Sequence, residues 1–156
     1  MKRIYIAGGC FWGVQGYFKT IPGIKFTTVG YANSLINNPS YEEVKTGKTG
    51  AVETTEIYYD ESIINLGQII EKLFAVIDPT ALNYQDVDHG TQYRNGVYFE
   101  IDEEYQIIKD KIDELAVNYD KPVVTENLKL ENYFLAEEYH QDYSDKHPDV
   151  ACHITF

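Results

Sequence analysis

Gly8-Gly9-Cys10-Phe11-Trp12-Gly13 places one of two cysteines, and the only tryptophan, after a short apolar strand and where a helix should begin. A thiol at a helix N-terminus faces unpaired backbone N–H groups and the positive end of the helix dipole. Both favour the thiolate, which is the nucleophilic form. Two aromatic rings beside it can build an apolar pocket around the reacting atom. The plainer alternative is a buried structural cysteine, since free Cys is among the most buried residue types.

A nucleophilic thiol has three general uses here. Acyl transfer needs a histidine base and an oxyanion hole, and His89, His140, His147 and His153 are all available. Metal binding needs ligands at recognisable spacing. His140, His147, Cys152 and His153 gather in the tail, but their spacing matches no zinc template. Redox chemistry needs a second thiol within reach of the first. Cys152 stands four residues before the last residue of the chain, a position that suits a resolving cysteine.

The elements that would position these groups follow from periodicity. Ile4 to Ala7 is a short buried strand, and Cys10 to about Thr20 a helix ended near Pro22-Gly23. Strands are expected at Ile24 to Tyr31 and Val52 to Tyr59, separated by a long polar loop from Ala32 to Gly50. Helical spacing runs from Ser62 to Ile77, capped by Asp60 or Ser62, and again through Tyr105, Ile108, Ile112, Leu115 and Tyr119. A second polar loop spans Asn83 to Asn95. Gly96 to Ile101 and Pro122 to Leu128 are strands, Asn132 to about Tyr143 a short helix, and Asp145 to Phe156 irregular. This order predicts an α+β two-layer sandwich with a mixed, mainly antiparallel sheet.

At 156 residues the chain is expected to form one catalytic domain, 1–156. Its net charge of −12 argues against nucleic acid and anionic membrane surfaces as partners. No apolar run approaches the ~20 residues of a membrane span. The basic start Met1-Lys2-Arg3 precedes an apolar run too short for a signal peptide. Two cysteines do not make a secreted disulfide framework, so the cytoplasm is the expected compartment. Fourteen tyrosines are many for this length; most are expected to be core or rim aromatics.

Gly9-Cys10-Phe11-Trp12-Gly13 resembles the signature of the A-type peptide methionine sulfoxide reductases. Further similar segments follow in order: Gly30-Tyr31-Ala32, Pro39 to Val44 with Thr46 to Gly50, Val52-Glu53, Asp88 to Arg94, and Ala136 to Tyr143. The resemblance implies reduction of methionine-S-sulfoxide, free or in proteins, without metal or organic cofactor. It implies Cys10 as the nucleophile and Glu53 as the acid. A carboxyl held near an apolar pocket can stay protonated, because burial disfavours its charged form. Tyr31 and Tyr93 match positions whose hydroxyls bond the sulfoxide oxygen. Phe11 and Trp12 would cage the S-methyl group through soft contacts of ~0.3–1.5 kcal/mol. Asp88 would orient the substrate main chain or a pocket water, and His89 is given no role. Cys152, in a Cys-His-Ile tail without the expected glycine, would resolve the Cys10 sulfenic acid as a disulfide. Thioredoxin or a similar dithiol would then reduce it. A module that binds oxidised methionine without turnover is the rival class, and an intact Cys10 and Glu53 argue against it.

Overall fold

The computed structural model describes residues 1–148. Its elements in chain order are β1 (Lys2–Gly8), α1 (Phe11–Phe18), β2 (Ile24–Ala32), α2 (Tyr41–Lys45), β3 (Val52–Tyr59), α3 (Leu66–Phe74), β4 (Tyr84–Gln85), β5 (Asp88–His89), β6 (Asn95–Phe99), α4 (Glu104–Ala116), β7 (Glu126–Lys129), β8 (Tyr133–Leu135) and α5 (Tyr143–Lys146). Six strands form one sheet in the order β7-β6-β1-β3-β2-β8, and β4 and β5 form a separate hairpin. Neighbours in the large sheet are antiparallel except β6 and β7. The α+β class and the mixed, mainly antiparallel sheet are as expected.

Alternation along the strands sorts the core. Ile4, Ile6, Ile57, Tyr59, Val97 and Phe99 join residues of α1, α3 and α4 in one apolar cluster. Tyr5, Ala7, Ala32, Val52 and Tyr98 point the other way, against Leu130 and Tyr133. Because Glu53 shares the parity of Ile57 and Tyr59, β3 aims it towards the helix side, where α1 begins.

The helix α1 is an unusual one. It contains Gly13 and Gly16, each costing roughly 1 kcal/mol against alanine, and six of its residues are buried. Its stability therefore comes from packing rather than propensity. The turn into it uses Gly9 at φ 85°, a left-handed conformation that glycine adopts without strain. A Cβ on Gly8 would meet Ile77 Cγ2 at 2.8 Å, so close packing sets that position as well.

Several boundaries differ from the sequence reading. The third helix starts at Leu66, because Asn65 and Gln68 form a capping box; Asp60 and Ser62 instead close a turn between themselves. It also stops at Phe74, short of Ile77. The loop from Ala32 to Gly50 contains α2, opened by a Ser40–Glu43 capping box. The expected short helix from Asn132 to about Tyr143 does not form as one element; within that range only Glu138–His140 make a 3-10 turn before α5 opens at Tyr143. Tyr133 to Leu135 extend the sheet along the edge of β2. Gln141 then ties that segment down, accepting from the Val29 N–H at 2.9 Å and donating to its carbonyl at 2.8 Å. Pairing to an existing edge satisfies the backbone, so weak helical spacing loses. The last expected strand is shorter than predicted, starting at Glu126 rather than Pro122.

Candidate active site

Cys10 is the N-cap residue of α1 and makes no side-chain capping bond. It is half-buried, a setting in which a thiol can be both activated and reached. Phe11, the first residue of the helix, donates its backbone N–H to Glu53 Oε1 at 3.2 Å. The Glu53 carboxyl, only 2% exposed, is thereby fixed at the helix end that carries the thiol. The two residues lie 43 positions apart in sequence, and the turn through Gly9 and the β3 register bring them together.

Tyr41 and Tyr93 lie close enough to feel the charges of this pair. Burial pushes both phenols up first; the charges of Glu53, Cys10 and Asp88 then push them further, with Tyr139 adding for Tyr41 and Tyr41 adding for Tyr93. Both therefore keep their protons throughout the neutral range and stand within electrostatic reach of the thiol and the carboxyl. Tyr41 was not singled out from the sequence. The Ser40-x-x-Glu43 capping signal would have placed it on the first turn of a helix instead of in a loop.

Tyr31 is arranged differently from the expectation. It faces Glu53 across the β2–β3 pairing, but it is fully buried. Its hydroxyl donates to Glu137 Oε1 at 2.8 Å. The proton expected to serve the sulfoxide is thus committed to a carboxylate.

The aromatic wall is built from both ends of the chain. Phe11 is buried, with its ring centroid 5.7 Å from Tyr31 and 5.3 Å from His140. Trp12 stacks on Tyr143 with centroids 3.8 Å apart and planes at 8°. Its Nε1–H donates to His140 Nδ1 at 2.9 Å. Burial pushes His140 below its usual value of 6.5, against the opposing pull of Glu137. The neutral ring therefore accepts at Nδ1 and carries its proton on Nε2. That tautomer has no lone pair left to act as a base towards Cys10, which disfavours the acyl-transfer alternative. Asp88 sits at the end of the β4–β5 hairpin and is partly buried.

Arg94 holds the two loops that carry these groups. Its guanidinium donates to the Gly50 carbonyl at 3.0 Å, to the Thr91 carbonyl at 2.8 Å and to Glu126 at 2.8 Å. Among the described residues, no group of three or more His, Cys, Asp or Glu is placed to hold a metal ion. Cys152, the expected resolving residue, and His153 lie outside the described residues.

Acidification should loosen this wall. His140 is depressed relative to its unfolded value, so its contribution to stability is fully present above pH 6.5 and is lost as the pH falls from there towards the folded value. A protonated ring has no acceptor at Nδ1 and must release Trp12. The melting temperature should fall between about pH 7.5 and 5.5 by more in the wild type than in His140→Gln. Equal pH dependence in the two proteins would show that His140 does not titrate in this way.

The chain matches the family model described as peptide methionine sulfoxide reductase over residues 2–156. A peptide methionine sulfoxide reductase MsrA of Metamycoplasma arthritidis is 62% identical over 156 residues, covering 100% of each chain. Among solved structures, Mxr1 from Saccharomyces cerevisiae in reduced form superposes with a TM-score of 0.94 at 31% identity, covering 99% of this chain and 91% of that one. Mxr1 in complex with Trx2 shares the fold, with a TM-score of 0.68 at 20% identity, covering 99% and 88%. A half-buried thiol and a buried carboxyl at one helix end, within an aromatic wall, thus agree with matches that run the length of the chain: it belongs to the peptide methionine sulfoxide reductase family.

Proposed function

We propose that the protein reduces methionine sulfoxide, with the S configuration at sulfur, to methionine, acting as one catalytic domain over 1–156. The observation that carries the residue roles is the hydrogen bond from the Phe11 N–H to Glu53, which puts a carboxyl beside Cys10. Cys10 attacks the sulfoxide sulfur. Glu53 delivers a proton to the sulfoxide oxygen, since oxide is otherwise a poor leaving group. Burial of a carboxyl favours its neutral, proton-donating form. Tyr41 and Tyr93 hold their hydroxyl protons against that oxygen as its negative charge grows. Phe11 and Trp12 shape the apolar side that takes the methyl group, and Asp88 orients the substrate backbone. In balance, one oxygen passes from the methionine sulfur to Cys10, leaving methionine and a cysteine sulfenic acid.

Cys152 then condenses with the sulfenic acid, forming the disulfide and releasing water. A thioredoxin-type dithiol exchanges with that disulfide and restores both thiols. The solved assembly of yeast Mxr1 with Trx2 is consistent with this partner. The described residues contain no helix long and apolar enough to cross a membrane. With two cysteines that must be reduced in each cycle, the cytoplasm is the compartment we assign.

The first experiment is a steady-state assay with a small dithiol and each epimer of methionine sulfoxide. Consumption of the S epimer alone is expected. Binding of the oxidised amino acid or peptide without reductant consumption would overturn the reading in favour of a recognition module. Cys152→Ser tests the second half of the cycle. It should release one equivalent of methionine per enzyme, then stall with Cys10 trappable by dimedone. Turnover with thioredoxin should collapse while turnover with a small dithiol survives. Full thioredoxin-dependent turnover in this variant would show that Cys152 does not resolve.

A further inference from the structure

Glu137 reaches out of the segment between β8 and α5 to the first turn of α2. Its Oε2 accepts the Tyr41 backbone N–H at 3.0 Å, and its Oε1 accepts the Tyr31 hydroxyl at 2.8 Å. The capping box of α2 leaves that N–H for another partner. Ser40 Oγ accepts from Glu43 N, and Glu43 in turn accepts from Ser40 N. The Tyr41 N–H, at the first helical position, is among the donors that a helix start leaves without an internal acceptor, and Glu137 takes it. The two oxygens of one carboxylate therefore join β2, α2 and the C-terminal segment at a single point.

The charges are consistent with a permanent link. Burial would raise the Glu137 carboxyl, but hydrogen bonds led by the Tyr41 N–H and including the Tyr31 hydroxyl outweigh it and hold it below its ordinary value. An ionised carboxylate only accepts, so Tyr31 must donate. Tyr31 cannot rotate away, because its ring is fully buried and leans on Phe11 at 5.7 Å. On the far side, the Tyr41 ring rests on His140 with centroids 4.4 Å apart. Tyr41 is thus held by its backbone at one end and by its ring face at the other, which leaves the hydroxyl as the part directed by this anchorage.

We propose that Glu137 and Tyr31 form a positioning pair for Tyr41, fixing the first turn of α2 so that the Tyr41 hydroxyl meets the sulfoxide oxygen. This rests on the role assigned to Tyr41 above. It makes Tyr31 a residue that acts through Glu137 and Tyr41 rather than on the substrate.

The test is a double-mutant cycle read in single-turnover methionine release, with no reductant present. Tyr41→Phe should slow release roughly 10-fold, less than the ~10²–10³ of a lone donor because Tyr93 remains. Glu137→Gln and Tyr31→Phe, which keep shape and packing, should each slow it about 3- to 10-fold with the half-saturating sulfoxide concentration within about twofold of wild type. In the Tyr41→Phe background neither should add more than about a twofold loss, since the group they position is gone. Full multiplicative losses in that background would overturn the proposal and return Tyr31 to direct contact with substrate. Wild-type rates in both Glu137→Gln and Tyr31→Phe would overturn it while leaving Tyr41 as donor. A wild-type rate in Tyr41→Phe would overturn it together with the Tyr41 role itself.

Discussion

Cys10→Ser should abolish sulfoxide reduction and leave the protein folded and at least as stable as the wild type. The reductase step ends with oxygen on sulfur, in a form that thiols can reduce. A serine hydroxyl is a far weaker nucleophile at neutral pH, and the peroxide it would have to form has no thiol-exchange route back. The loss should therefore be complete in single turnover as well as in steady state. Stability moves the other way for a reason visible at the helix start. Cys10 occupies the N-cap without a side-chain capping bond, whereas serine is among the best N-cap residues and can contribute about 0.5–2 kcal/mol there. Methionine release and thermal melting on the same preparation check both halves. A folded Cys10→Ser protein that turns over at the wild-type rate would sink the mechanism.

Glu53→Gln should slow methionine release by ~10²–10⁴-fold, the usual worth of a positioned general acid, with little change in substrate affinity. The structure separates position from chemistry here. Glutamine keeps an oxygen that can accept the Phe11 N–H, a bond now made at 3.2 Å, so the start of α1 and the placement of Cys10 should survive. What is lost is the proton. A single-turnover rate within about threefold of wild type lies far below that range and would remove Glu53 from the role. A collapse in affinity with little change in the saturated rate would instead make it a binding group.

The parts of this arrangement that rest on local pattern were legible in the sequence. Val52 to Tyr59 is rich in β-branched and aromatic residues and is buried on both faces, and β3 occupies those residues. The spacing of Tyr105, Ile108 and Ile112 likewise placed α4. The Gly9-Cys10 turn followed from glycine next to a helix start. What depended on distant partners was not legible. Tyr31 and Tyr41 are equivalent by residue type, and only Glu137, 106 positions beyond Tyr31, decides which hydroxyl is already committed. The sequence offers His140 as a base or a ligand, yet its Nδ1 serves Trp12 across 128 positions. Residues 133–135 became a strand because β2 offers an open edge, a fact that no window around Tyr133 contains. The loop-like composition around the short α2 masks its Ser40–Glu43 box.

The stack of Trp12 on Tyr143 has an optical consequence. The chain contains a single tryptophan, so its indole emission comes from one ring, parallel to a phenol and bonded to an imidazole inside the aromatic wall. Tyr143 opens α5, which Lys19 ties to α1 through Asp142 and Asp145. Any movement of the C-terminal segment that parts the two rings exposes the indole and should shift its emission to longer wavelength. The protein therefore carries one intrinsic fluorophore two residues from Cys10, whose emission should report without a label whether that stack is intact.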